Sequence, residues 1–352
     1  MARVRVLFTG GGGAGTSSLW QQLSDRYEIH FADAQPLRIP PCVPDGHRHA
    51  VPRADADDFI DGLTALIARL RIDLLIPGVD EELLPVARAR PSLLPCRVLL
   101  PEHDDVARCL DKLRFAEAAA AAGLRVPQTR RLDRADAGDH RATTQVASAI
   151  WASYPCIAKP RSGRGSQGVM IIRDVDALHG WQAVVPKAAD VIVQELMAGP
   201  EFTVQVIADA AGQLRAIVPV RVHSKRGITV SAQTEANAAV IEACRRLHEV
   251  FPTAGVVNVQ GILDAQERFW PFEVNPRIST TLCLVMAAGV DPLAIYSGSL
   301  PDGHAHADGL LPFTDGLPME RFWDTRIGTA ASARGIEPGI GHEIEQGGDE
   351  RA

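Results

Sequence analysis

The chain lacks most of the features that would mark an exported, membrane-bound or disulfide-built protein. No apolar leader opens it: Val4 to Phe8 is too short and runs straight into glycines. No apolar run approaches the roughly 18 residues needed to cross a bilayer. The six cysteines (Cys42, Cys96, Cys109, Cys156, Cys244, Cys283) never fall into a Cys-x-x-Cys spacing. Most sit among apolar neighbours, which predicts buried free thiols in a reducing compartment rather than a disulfide frame or a zinc site. Basic residues are not in excess either. With 36 Lys and Arg against 43 Asp and Glu the net charge is −7, which argues against wholesale nucleic-acid binding. Internal repeats are absent. What remains is a hydrophobic share of 46% and a charged share of 22%, the composition of a cytoplasmic globular protein, and 352 residues are enough for two or three compact units.

The first hundred residues alternate strands and helices. Val4–Phe8 predicts a strand, Thr16–Leu23 a helix, Tyr27–Asp33 a strand, Phe59–Leu70 a helix, and Ile72–Pro77 and Val98–Pro101 two further strands. That order predicts a doubly wound parallel sheet whose binding edge is made by the loops Gly10–Gly15 and Pro77–Glu82. Gly10, Gly12 and Gly15 satisfy G-x-G-x-x-G between strand and helix, and Asp33 closes the second strand. The loop could therefore take an anion or simply allow close backbone contact. No Lys-Ser/Thr follows it, so it is not a kinase-type phosphate loop. Asp80, Glu81 and Glu82 suit a helix start, and could also hold a substrate ammonium.

A second group of residues carries the chemistry. Asn258–Arg277 (NVQGILDAQERFWPFEVNPR) reads as two strands joined by a polar turn at Asp264–Glu267. Pairing about Ala265 and Gln266 puts Gln260 diagonally across from Glu273. It also predicts that Trp270, Phe272 and Val274 share the apolar face, with Glu273 and Asn275 on the other. Three oxygen-bearing side chains with open positions beside them suit Mg²⁺ carrying nucleotide phosphates. Taken alone, Glu-x-Asn reads first as a solvated hairpin face, and it is the residues upstream that shift the balance. Upstream, Cys156–Pro160 is a strand end with Lys159 at its tip, and Arg161–Gly168 is a glycine loop running into the strand Val169–Ile172. In this strand–loop–strand flap Ser162, Gly163, Gly165, Ser166 and Gly168 let backbone amides approach a polyphosphate, with Arg161 and Arg164 on it. Further strands are expected at Val191–Leu196, Gly199–Ile207 and Ala216–Val222, and helices at Asp111–Ala122, Ala238–Phe251 and Leu282–Ala288. Leu132–Thr144 reads as a surface loop, and the residues beyond Gly328 as a loose tail. Arg221, Lys225 and Arg226 form either a solvated basic loop or a group that recognises a substrate carboxylate or phosphate. His47/His49 and His304/His306 read as solvated loop residues.

Asp111-Lys112, Lys159 with its glycine loop, Glu195…Gly199-x-Glu201 and Gln260…Glu273-x-Asn275-Pro-Arg277 together resemble the ATP-grasp superfamily. More closely, they are similar to the synthetase units of the carbamoyl phosphate synthetase large subunit and to single-unit amino-acid ligases, over about Val4 to Pro292. The resemblance implies an α/β fold in which a Rossmann-like sheet (1–108) precedes a two-lobed grasp module. Its first lobe, with the flap, would span 109–190 and its second, with the metal site, 191–327, leaving a tail at 328–352. By position it assigns Lys112, Lys159 and the glycine loop to nucleotide phosphates, Glu195 and Leu196 to adenine, and Glu201 to ribose. Gln260, Glu273 and Asn275 would hold one or two Mg²⁺ (or Mn²⁺), and Arg277 would stabilise the transferred phosphoryl group. Arg221 and Arg226 would assist at the substrate. Gln260 stands where many members have an acidic residue.

The implied reaction is ATP-dependent ligation of a carboxylate to an amine through an acyl phosphate, releasing ADP and phosphate, on amino-acid-like substrates. It requires no protein nucleophile, so the absence of a Ser-His-Asp or Cys-His pattern does not count against it. The alternatives are a small-molecule carboxylate or carbamate kinase, an NAD-type oxidoreductase resting on Gly10, Gly12, Gly15 and Asp33, and a non-catalytic nucleotide sensor. No nucleic acid or membrane partner is expected, and a homodimer is compatible with this size.

Overall fold

The computed structural model describes residues 3–132, 154–163, 165, 167–184, 190–298 and 309–323. Met1–Phe322 form one compact unit; Trp323–Ala352 form a second, almost wholly outside the described residues. The expected loop at Leu132–Thr144 (beyond Leu132 itself), the His304/His306 pair and the expected tail also lie outside them.

The N-terminal sheet is all parallel, in the order β3-β2-β1-β4-β5. It comprises β1 (Arg5–Thr9), β2 (Glu28–Asp33), β3 (Arg48–Ala50), β4 (Leu74–Ile76) and β5 (Arg97–Val98), with α1 (Thr16–Leu23), α2 (Phe59–Leu70), α3 (Asp80–Ala89) and α4 (His103–Leu110). Its central strands β1 and β4 are buried and apolar on both faces, as a sheet covered on both sides requires. Val6, Phe8, Phe31 and Ile76 enter one core and Leu7, Ala32 and Leu75 the other. In α2 the buried residues Phe59, Leu63, Leu66 and Ile67 follow the helical period. β3 and α4 have no counterpart in the expected elements. β5 stops earlier than the expected Val98–Pro101, because Leu100 N folds back onto Val98 O at 2.9 Å.

After α5 (Lys112–Ala121) a four-stranded sheet forms in the order β6-β9-β7-β8. Its members are β6 (Thr129–Arg131), β7 (Cys156–Pro160), β8 (Met170–Ile172) and β9 (Val191–Glu195), backed by α6 (Val175–Val184). β9, which an expected lobe boundary at 190/191 gives to the second lobe, runs antiparallel to β7 from Pro160↔Val191 to Cys156↔Glu195 and so belongs to the first. One face of this sheet buries Cys156, Ala158, Ile172, Val191 and Val193 against Leu178 and Trp181.

The third sheet has the order β14-β13-β10-β11-β12-β15. It contains β10 (Glu201–Ala208), β11 (Leu214–Arg226), β12 (Ile228–Thr234), β13 (Gly255–Leu263), β14 (Phe269–Asn275) and β15 (Pro318–Glu320). α7 (Ala238–Val250), α8 (Leu282–Ala287) and α9 (Pro292–Ser297) pack around it. Phe202, Val204 and Val206 face α7, while Ile207, Ala216, Val218 and Val220 join the core that also holds Val6 and Phe8. The two sheets thus share one interior. The basic stretch at Arg221–Arg226 is strand, not loop, and turns at Gly227 into β12. β10 is an inner strand of this sheet.

Two details set the register of the site. Gly199 has φ +140° and a Cβ there would stand 2.0 Å from Leu263 O, so only glycine lets β10 start against the end of β13. On β14, pairing runs Gly261↔Pro271 and then Gln260↔Glu273, which leaves Phe272 as an extra, bulged residue. A turn centred on Gln266 and this bulge together correct two expectations. Gln260 lies directly opposite Glu273 rather than diagonal to it, and Phe269 and Val274, not Trp270 and Phe272, enter the core.

Candidate active site

Three segments far apart in the chain deliver their charges to one place. Lys159, at the end of β7, is 4% exposed; its Nζ donates to Gln194 Oε1 at 2.8 Å and lies 5.2 Å from the centre of the Phe272 ring. Lys112, the first residue of α5, donates from Nζ to Gly163 O at 2.8 Å and stands 3.7 Å from Glu273 Oε1. Burial pushes the Lys159 ammonium down to about 8; Glu273 opposes that shift and the Lys112 charge adds to it. Glu273 thus pairs with Lys112 and acts electrostatically on Lys159, while Asn275, on the same strand, is buried.

The remaining oxygen donors stand on paired strands, with Gln260 opposite Glu273 and Asn258 opposite Asn275. Asn258 is fixed from behind, its Oδ1 accepting from Thr203 Oγ1 at 2.7 Å and Gln205 Nε2 at 2.8 Å. Lys225, from the end of β11, forms a very short contact with Glu201 and lies 3.5 Å from Gln260 Oε1. The oxygens proposed for ribose and metal thus already face ammonium groups. A donor set of one carboxylate and two amide oxygens attracts cations but cannot neutralise a divalent ion alone. Among the described residues no three His, Cys, Asp or Glu gather to hold a metal. Such a set fits Mg²⁺ that arrives with phosphate oxygens and water completing its shell.

The other expected residues are distributed as follows. The backbone N of Glu195 donates to Gln128 O at 2.9 Å, and its carboxylate accepts from Gln128 N at 3.2 Å; half-buried Leu196 follows at the strand end. Gly163, Gly165 and Gly168 all have positive φ, and nothing lies within 4 Å of a Cβ on the first two. Ser162 is exposed. Ser166 and Arg164 lie outside the described residues. Arg277 does not point its fork freely at the lysines: Nε donates to Asp80 on α3 and Nη1 to Ile278 O. Arg221 pairs with Glu235 at 3.3 Å, and Arg226 is exposed at the β11–β12 turn. Arg161 is not on the loop facing phosphate but is bound to Asp111 and Asp190.

Sequence reading passed over Gln194, Phe272 and the apolar strip formed by register partners Ile157 and Ile171, the latter 46% exposed. Alternation carried part of that signal, since Ile157 shares a face with Lys159, and Ile192 with Gln194. A stronger signal lay in the lysines. The chain has four among its 36 basic residues, and Lys112, Lys159 and Lys225 all reach this site.

The glycine motif of the N-terminal sheet has different surroundings. Asp33, which a dinucleotide would need for its ribose, spends Oδ2 on Gly12 N and Oδ1 on Gln35 N, both at 2.8 Å. A Cβ on Gly12 would meet Arg38 Cβ at 2.8 Å. This removes the support for the oxidoreductase alternative. All six cysteines are free, five of them buried and Cys42 exposed. Among the described residues no helix is long and apolar enough to cross a membrane. His47 and His49 are half-buried rather than free in a loop: His30 Nδ1 and His49 Nε2 are 3.0 Å apart, and His47 stacks on His30.

Comparison with known proteins places these features. Residues 187–306 match a family described as ATP-grasp in the biosynthetic pathway with Ter operon. The carbamoyl phosphate synthase large chain of Rubrobacter xylanophilus is 28% identical over 68% of this chain and 24% of its own. The chain spans about a fifth to a quarter of the length of such large chains. Among solved structures, an ADP complex of N5-carboxyaminoimidazole ribonucleotide synthetase aligns with a TM-score of 0.65 at 16% identity, over 90% of this chain and 82% of that one. An L-amino acid ligase from Bacillus licheniformis aligns with a TM-score of 0.61 at 15% identity, over 85% and 77%.

Proposed function

The chain is a member of the ATP-grasp superfamily, and from that premise we propose that it is an ATP-dependent carboxylate–amine ligase acting on amino-acid-like substrates. The observation that carries this reading is the meeting of Lys112, Lys159 and Glu273 under the glycine loop. The similarity to an L-amino acid ligase supports the substrate class. The boundaries 1–108, 109–190 and 191–327 remain our proposal for its units, with β9 moved to the first lobe.

In this reading Lys112 and Lys159 draw the triphosphate between the two lobes, and the amides of Ser162–Gly168 cover it. Adenine lies on the strip of Ile157 and Ile171, meeting Glu195 and Leu196 at the strand end, and Glu201 takes the ribose once Lys225 turns away. Glu273, Gln260 and Asn275 would hold one or two Mg²⁺, or Mn²⁺ in its place, which would supply positive charge beside the phosphates. The substrate carboxylate oxygen attacks the γ-phosphorus in line, and the bond to ADP breaks. Arg277 stabilises the moving phosphoryl and the acyl phosphate, with Arg221 and Arg226 toward the substrate end. The amine nitrogen then attacks the carbonyl carbon, phosphate leaves with the bonding pair, and the nitrogen loses its proton to give the amide. Excluding water protects the acyl phosphate from hydrolysis.

The test is a phosphate-release screen of amino-acid pairs with ATP and Mg²⁺, followed by mass analysis. ADP and an amide are expected; AMP with pyrophosphate would rule out the acyl-phosphate route, and a phosphorylated acid as sole product would make the protein a kinase. Glu273→Ala should lower turnover about a thousandfold, because the ion's contribution is worth several kcal/mol, while the circular dichroism spectrum stays unchanged. Turnover near that of the unmodified protein would remove Glu273 from the metal site.

A further inference from the structure

A chain of ion pairs runs from the outer edge of the four-stranded sheet to the lysine cluster, and none of the roles above uses it. Arg131 Nε donates to Asp190 Oδ1 at 2.9 Å, and Asp190 Oδ2 accepts from Arg161 Nη1 at 3.0 Å. The rest of the Arg161 guanidinium grips Asp111, Nε to Oδ1 at 2.7 Å and Nη2 to Oδ2 at 2.6 Å. Asp111 is the N-cap of α5, and its Oδ1 also accepts from Leu113 N and Arg114 N at 3.1 and 3.0 Å. The next residue is Lys112, whose backbone N donates to Arg161 O at 3.1 Å. Its ammonium reaches Gly163 O, two residues beyond Arg161, and Glu273. Arg161 N in turn donates to Asp190 O at 2.9 Å.

We propose that Arg161 is a positioning residue for Lys112: by holding the α5 cap and the base of the glycine loop at once, it fixes where the Lys112 ammonium stands between Gly163 O and Glu273. It thereby sets the affinity of the site for the terminal phosphates of a nucleotide, an inference that rests on the nucleotide reading above. The fork is suited to this task. A guanidinium makes two parallel bonds to one carboxylate and keeps a third nitrogen for Asp190, which a lysine cannot do. The pair stays ionised, since burial tends to raise the Asp111 carboxyl but the Arg161 fork and the N–H groups of Arg114 and Leu113 bring it below its ordinary value. Lys112 is 6% exposed, so a displaced ammonium finds little water to replace a lost partner.

A merely structural role is separable. Asn caps a helix about as well as Asp, so Asp111→Asn keeps the cap and loses the ion pair, and Arg161→Lys keeps the charge and loses the fork. Calorimetry would measure binding of MgADP and of adenosine to each variant. The four lysines make ammonium spectra of ¹⁵N-lysine-labelled, nucleotide-free protein assignable. Both variants should bind MgADP about tenfold more weakly or worse, the loss expected for one charge-assisted hydrogen bond, with adenosine affinity held and only the Lys112 signal moved. Unchanged MgADP affinity overturns the proposal, and so does an equal loss for adenosine, which would mean general damage to the lobe. Should Arg161→Lys fail to fold, Asp111→Asn decides alone. If the unmodified protein binds no MgADP, the nucleotide reading falls, and a Lys112 signal unmoved by Asp111→Asn then overturns the positioning role separately.

Discussion

The loops Gly10–Gly15 and Ser162–Gly168 both follow a strand and both are rich in glycine, yet a methyl group added to them meets different surroundings. On Gly10, Gly11 and Gly12 it would stand 2.7 Å from Val79, 2.9 Å from Phe31 and 2.8 Å from Arg38. On Gly163 and Gly165 it would meet nothing within 4 Å. The first loop is closed by its own side chains, with Asp33 holding two backbone N–H groups and Arg321 donating to Ala14 O. The second has space around Gly163 and Gly165, is closer to Pro160 at Gly168, and has a buried lysine at its base. Motif spacing alone favours the first loop, whereas the space around the glycines favours the second. Glycine at fixed intervals reports where a backbone must pass closely, and what it passes close to is decided by residues far away in the chain.

The comparison can be broken most forcefully at Lys159. An unfolded lysine titrates near 10.4, whereas Lys159 in the folded protein is pushed down to about 8, first by burial. Below pH 8 the ligand-free protein thus carries a charged ammonium at a cost. Between about 8 and 10.4 the folded state has released that proton and the unfolded state has not, so stability rises with pH through this window. Lys159→Met should accordingly raise stability at pH 7 by about 2–3 kcal/mol, an advantage that fades by pH 10, while MgADP affinity collapses. Urea unfolding at the two pH values reads it. A less stable variant at pH 7 would make Lys159 a structural ion and the second loop as structural as the first.

The glycines sharpen the same contrast. Gly12→Ala forces a methyl onto Arg38 Cβ and towards Asp33, an overpacking of about 1–3 kcal/mol, and should lower the melting temperature with MgADP affinity intact. Gly165→Ala enters open space at φ +67°, a backbone strain of about 1 kcal/mol, and should weaken MgADP binding more than it lowers stability. Reversed outcomes would exchange the roles of the two loops.

Much of this was legible in the sequence because it is local or periodic. Thr16–Leu23 and Phe59–Leu70 are helices at their expected ends, and the parallel sheet follows from apolar strands alternating with helices. The misreadings come from irregularity and from partners distant in sequence. One extra residue at Phe272 reverses the face of Trp270 and Phe272, which strict alternation cannot foresee. Arg277 meets Asp80 and Arg161 meets Asp111 across long separations, and no spacing rule encodes those contacts. Gln194 looked like one more residue of an apolar strand until the structure showed it accepting from Lys159.

The smallest expected effect concerns the strand that ends in Asp33. His30 on β2 packs between His47 and His49, and His30 Nδ1 and His49 Nε2 share one hydrogen bond, so both nitrogens cannot carry protons at once. Burial, then the neighbouring His30, Arg69 and His47, pushes His49 down to about 4; burial and His47 lower His30, with Glu28 opposing. Because the folded state prefers neutral rings, their contribution is complete above about pH 6.5 and is lost as pH falls towards 4. The His49 ring is partly open to water, which reduces the effect to about 1–2 kcal/mol. His49→Gln should flatten the fall in urea midpoint between pH 7 and 4.5. An acid response identical to that of the unmodified protein would place its source elsewhere. A response that follows the imidazoles would tie acid sensitivity to the sheet carrying the closed loop and leave the open one untouched.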